Sequence, residues 1–84
     1  MTKQEVYFRI TEHIKKTSKL EEIQINETDN LLQFGYVDSL TLVDLINFLE
    51  QLVGHEIKIE EMDIRKFYTL ESIYETFFQE IKIS

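Results

Sequence analysis

Residues Phe34–Gly54 read FGYVDSLTLVDLINFLEQLVG, and this stretch decides the fold. Its apolar residues fall at Leu42, Leu45, Ile46, Leu49, Leu52 and Val53, the three- and four-residue steps of one helix face. The spacing predicts a buried helix opening at Asp38 or Ser39. Gly54 stands where a left-handed cap would end it. Asp38 and Ser39 are both favoured N-cap residues, because a side-chain oxygen can accept from the unpaired amides of the first turn.

The flanking sequence extends the helical reading. Val6, Ile10 and Ile14, with Tyr7 alongside, give one face of a first helix over about Lys3–Thr17. Thr2 and Glu5 are spaced as a capping box, and Lys15, Lys16 and Lys19 crowd the C-terminal end, where cations suit the helix dipole. Leu20–Val37 reads as a long loop, pinned to the core by Ile23, Ile25, Leu31, Leu32 and Phe34. Asn26, Thr28 and Asp29 supply its turn chemistry. After Gly54 comes an extended link in which Ile57 and Ile59 alternate. They have no partner strand, so no sheet is expected. A short helical turn over about Glu61–Lys66 follows. Thr69 then caps a last helix with Leu70, Ile73, Tyr74, Phe77 and Ile81 at helical spacing. The expected fold is all-α: a small four-helix bundle of three longer helices and one short one, with a long first loop.

Composition narrows the function. The 84 residues suffice for one small domain, residues 1–84, with a modest core. Apolar residues at 43% argue against disorder, and no run of 18 apolar residues exists to span a membrane. The first residues, MTKQEVYFRI, lack a signal-peptide core, so the expected compartment is the cytoplasm. A net charge of −7 disfavours nucleic acid and suits basic protein partners, although a solvated surface explains it equally. The absence of cysteine excludes disulfides and thiolate metal sites. A monomer is the default expectation.

Catalysis finds little support. His13 lies on the polar side of the first helix and His55 follows Gly54. Neither is placed to serve Ser39 as a base, and both read as solvated surface. The adjacent pairs Glu21/Glu22 and Glu60/Glu61 point apart. No metalloprotease, phosphate-loop or EF-hand spacing is present. Asp38-Ser39 therefore has two open readings: a helix cap with no further role, or a serine presented for a partner to act on.

The order of pieces resembles the acyl carrier protein family, which includes peptidyl and D-alanyl carriers. Two stretches carry the resemblance. In NLLQFGYVDSLTLVDLINFLEQL, Asn30–Leu52, the places of the family pattern are filled by Leu32, Phe34, Gly35, Val37, Asp38, Ser39 and Leu40. IKIEEMDIRKFYTLESIYETF, Ile57–Phe77, is similar to the family's third-helix segment and final helix. The resemblance implies a 4′-phosphopantetheine arm on Ser39, transferred from coenzyme A by a phosphopantetheinyl transferase, with Asp38 helping to present the serine. Cargo would ride as a thioester on that arm, loaded by an acyl- or aminoacyl-activating ligase and passed to a transferase or condensing enzyme. The carrier would itself be no enzyme. Leu40, Val43, Asp44, Asn47, Glu50 and Ile64 would meet those partners.

Departures from the family pattern point away from central fatty-acid synthesis. Thr41 stands where an acidic residue usually follows Asp-Ser-Leu, and only Asp44 and Glu50 are acidic between Leu40 and Leu52. The form is closer to specialised carriers serving secondary metabolites, peptides, polyketides or D-alanyl transfer. A buried acyl chain gains about 0.8 kcal/mol per methylene. Phe67, Tyr68, Tyr74, Phe77 and Phe78 are placed to occupy that space, so an aminoacyl or short-acyl cargo is expected. The alternatives are a fatty-acid carrier or a cofactor-free helical interaction module.

Overall fold

A computed structural model describes residues 2–19 and 22–78. Helix α1 spans Lys3–Ser18, α2 spans Ser39–Val53 and α3 spans Leu70–Phe77, with 3₁₀ turns at Ile59–Glu61 and Ile64–Phe67 between α2 and α3. The expected all-helical architecture is what the chain adopts. The single short helix expected at Glu61–Lys66 is instead two separate 3₁₀ turns. Met62, extended at φ −124°, divides them, and Asp63 caps the second by accepting from the Arg65 amide. Ile81, expected in the last helix, and Leu20, expected in the first loop, lie outside the described residues.

Each helix is bounded by the local chemistry its sequence supplies. Thr2 Oγ1 accepts from the Glu5 amide at 3.2 Å, but the Glu5 carboxylate pairs with Arg9 at 3.2 Å, so only half of the expected capping box forms. Lys19 ends α1 in the left-handed region at φ 57°, a conformation a residue with a Cβ adopts at some cost. Gly54 ends α2 at φ 84°, as its position predicts. Thr69 Oγ1 caps α3 through the Ser72 amide at 3.0 Å.

α1 packs against both α2 and α3. Val6, Ile10 and Ile14 of α1 meet Leu42, Leu45, Ile46 and Leu49 of α2 and Leu70 and Ile73 of α3 in one buried cluster. Leu31, Val37, Ile57 and Phe67, from outside the α-helices, complete it. Leu52 and Val53, expected in the buried stripe, are only half-buried against it. Each such side chain contributes about 1.5–3 kcal/mol when fully buried. Among the described residues no polar or charged side chain is buried in the core.

The long loop is fastened at several points. The Leu31 amide donates to the Tyr68 carbonyl at 2.7 Å and the Glu71 amide to the Glu27 carbonyl at 3.0 Å. Tyr7 Oη donates to Glu27 Oε1 at 2.9 Å, and Ser18 Oγ to the Tyr36 carbonyl at 2.8 Å. Asn30 Oδ1 accepts from the amides of Leu32 and Gln33 and starts the turn that leads into Gly35 at φ 79°. Leu31 is the fully buried anchor of this loop. Phe34, expected to pin it as well, is 56% exposed, because the turn directs its ring away from the core.

Candidate functional site

The N-terminus of α2 is built by one carboxylate. Asp38 Oδ1 accepts from the amides of Leu40 at 3.0 Å and Thr41 at 2.9 Å, and from the Thr41 hydroxyl at 3.0 Å. Thr41 Oγ1 accepts in return from the Asp38 amide at 2.7 Å. These bonds, led by those from Thr41, hold the exposed Asp38 carboxyl below its ordinary value of 3.8.

The capping task thus falls to Asp38, and Ser39 is the first helical residue, exposed at the head of α2. This refines the sequence reading in two ways. Ser39 is not the cap. The amides of Leu40 and Thr41 are already occupied by Asp38, so the positive end of the helix is only partly available to an anion placed on Ser39.

Three of the apolar residues expected to meet partners are exposed. Leu40 is 83% exposed, Val43 54% and Ile64, at the start of the second 3₁₀ turn, 40%. Leu40 and Val43 lie one helical turn apart on α2. Phe34, in the turn before α2, meets Tyr36 edge to face at 6.1 Å between ring centroids. Phe34 lies outside any helical period, so its apolar character alone suggested burial, and the structure exposes it.

The three polar residues expected on the outward side of α2 separate in the structure. Asn47 is exposed. Asp44 Oδ2 lies 2.6 Å from His13 Nε2, and the imidazole stacks on Phe48 at 4.1 Å with an interplanar angle of 11°. His13 is therefore half-buried between α1 and α2, not solvated surface as expected. Asp44 is 31 positions further along the sequence, so the pairing left no local signal. Glu50 is also not free surface: its Oε2 accepts from the Ile57 amide at 2.7 Å, tying the link back to α2. Its position in the helix period placed it outward, but Gly54 reverses the chain and brings an unpaired amide to it.

Among the described residues no cluster of three His, Asp or Glu side chains could hold a metal ion, and no buried side-chain polar atom lacks a partner. What α2 presents is a lone serine hydroxyl at its first turn, with neither histidine bonded to it and the exposed Leu40 and Val43 following on the same helix. That arrangement suits covalent modification by another protein. The family described as phosphopantetheine attachment site matches residues 9–76. The chain belongs to this family, the acyl carrier protein domain, which is the site of covalent 4′-phosphopantetheine attachment. No curated protein and no solved structure matches the chain significantly.

Proposed function

We propose that the chain is a discrete carrier protein whose 4′-phosphopantetheine is attached to Ser39. The observation that carries this reading is the division of labour at the head of α2, where Asp38 makes the cap and leaves the Ser39 hydroxyl exposed. The group fits there. A phosphodiester on Ser39 would sit at the positive end of α2, in solvent, with no side chain to displace. The transferase supplies the catalysis, so the want of a base beside Ser39 is no obstacle. When bound, the arm supplies the thiol that holds cargo as a thioester, and the chain itself catalyses nothing.

Leu40, Val43 and Ile64 form the apolar contact for partner enzymes: the phosphopantetheinyl transferase, an acyl- or aminoacyl-activating ligase, and a downstream transferase or condensing enzyme. That all three large apolar side chains are exposed, two of them just after Ser39 on α2, supports this role over chance surface. Asn47 borders the same helix surface. Asp44, exposed on α2 and 2.6 Å from His13, adds a carboxylate there, and rim charges act on encounter rate more than on affinity. Glu50 contributes chiefly by holding the link.

An aminoacyl or short-acyl cargo is favoured by the filled interior. Phe67 is fully buried and its ring lies 5.4 Å from that of Phe77. A specialised pathway is favoured by Thr41, which completes the cap where fatty-acid carriers usually place an acidic residue. No helix of the described residues is long and apolar enough to cross a membrane, and a cytoplasmic carrier accords with that.

The deciding experiment is intact mass after incubation with coenzyme A and a broad-specificity phosphopantetheinyl transferase. One added phosphopantetheinyl group, absent in Ser39→Ala, is expected. Addition to Ser39→Ala, or none to the folded wild type with two different transferases, would overturn the assignment to Ser39.

A further inference from the structure

A second surface lies on α1. Glu5, Phe8, Arg9, Glu12, His13 and Lys16 each have neighbours three or four residues away in the set and form one stripe of the helix. Val6, Ile10 and Ile14 occupy the other side, in the core. With Phe48 of α2 the stripe lines an open groove of about 440 Å³. Phe8 stands in it 64% exposed, beside the flat plate that His13 makes on Phe48. Nothing in the core or the proposed carrier surface requires a phenylalanine here.

The charges along the stripe are self-complementary. In two identical antiparallel helices related by a two-fold, residues equally far from the axis on opposite sides face each other. With the axis between Ile10 and Thr11, Glu5 of one copy faces Lys16 of the other, Arg9 faces Glu12, and Phe8 faces His13. Every charge in the stripe then meets its opposite, twice over by symmetry. Moving the axis two residues toward the N-terminus sets Glu5 against Glu12. Moving it two residues toward the C-terminus sets Arg9 against Lys16. The pattern therefore selects one register.

We propose that this face of α1 is a self-association surface, on which a second copy of the chain packs antiparallel with Phe8 on the His13–Phe48 plate. The pairs inside each copy, Glu5–Arg9 at 3.2 Å and Glu12–Lys15 at 3.1 Å, hold those side chains along the stripe. A single helix pair buries less than the roughly 1,000 Å² that a stable interface needs, so the dimer is weak, with a Kd on the order of hundreds of micromolar. The net charge of −7 on each copy opposes association at long range. Physiological salt screens that repulsion beyond about 8 Å while leaving contact pairs in place. The chain is thus monomeric when dilute and pairs when concentrated.

Sedimentation equilibrium of the full chain at physiological salt, from micromolar to millimolar, tests this without the prosthetic arm, so its outcome is independent of the carrier reading. The weight-average mass of the wild type is expected to climb from one chain toward two. Arg9→Glu and Glu12→Arg should each lose association by about tenfold, because each sets like charges against each other twice. An equimolar mixture of the two variants should recover it, because the heterodimer restores one opposite pair and retains the other. Glu5→Lys mixed with Lys16→Glu provides an independent second pair, and Phe8→Ser should weaken association without rescue by mixing. A wild type that stays at one chain's mass throughout would overturn the proposal. So would mixtures no more associated than their components, or a dimer indifferent to Phe8→Ser.

Discussion

The Asp38 amide donates to the Thr41 hydroxyl at 2.7 Å, and Asp38 Oδ1 accepts from the Thr41 amide at 2.9 Å. Threonine thus closes a reciprocal capping box usually completed by Glu or Gln. Thr41→Val keeps the shape and removes the hydroxyl. It should cost about 1–2 kcal/mol in urea unfolding, the net worth of the two partly exposed hydrogen bonds the hydroxyl makes with Asp38. Ser39→Ala, which removes no cap, should change stability by less than about 0.5 kcal/mol. Ser39→Ala should abolish the mass addition and Thr41→Val should preserve it.

Acid should weaken the caps that Asp38 and Asp63 make. The Asp38 carboxyl is held below 3.8, chiefly by hydrogen bonds from Thr41, and Asp63 is lowered to about 2 by its hydrogen bonds with Arg65. Both groups bind a proton more readily in the unfolded chain. Their contributions are fully present above the ordinary carboxylate value and are lost as pH falls through the lower folded values. Stability should therefore decline between about pH 4 and pH 2. Asp38→Asn, which still caps but does not titrate, should flatten part of that decline in urea unfolding followed across pH.

Glu50 holds the Ile57 amide at 2.7 Å, and Ile57 is itself a core residue. Glu50→Ala leaves a part-buried N–H without its acceptor and should cost about 1–2 kcal/mol. Glu50→Gln keeps an acceptor oxygen and should cost less. Amide hydrogen exchange at Ile57 should quicken in the alanine variant and much less in the glutamine one. Equal, unperturbed exchange in both would mean the bond does not restrain the link.

Phe67 and Phe34 make opposite predictions from the same side chain. Phe67 is fully buried, so Phe67→Ala should cost about 3–5 kcal/mol and leave a domain of this size close to unfolding at 37 °C. Phe34 is more than half exposed, so Phe34→Ala should leave thermal unfolding nearly unchanged. If Phe34→Ala also slowed phosphopantetheine transfer, its ring would belong to the partner surface with Leu40.

The amino-acid sequence by itself determined three helices, caps at Thr2 and Thr69, the glycine stop at Gly54, and a start of α2 at Asp38 or Ser39, while the structure gave the cap to Asp38 and left Ser39 exposed. These rest on interactions within one or two helical turns, and short-range chemistry is written in residue order. Tertiary structure decided the rest. Phe34 faces outward because a turn started by Asn30 redirects it. His13 becomes a plate on Phe48 only when α1 and α2 pack, and Glu50 turns to Ile57 only after Gly54 reverses the chain. Leu31 reaches the Tyr68 carbonyl across 37 residues of sequence. Such pairings depend on which unpaired groups the packed helices bring together, and no periodicity along the chain encodes that.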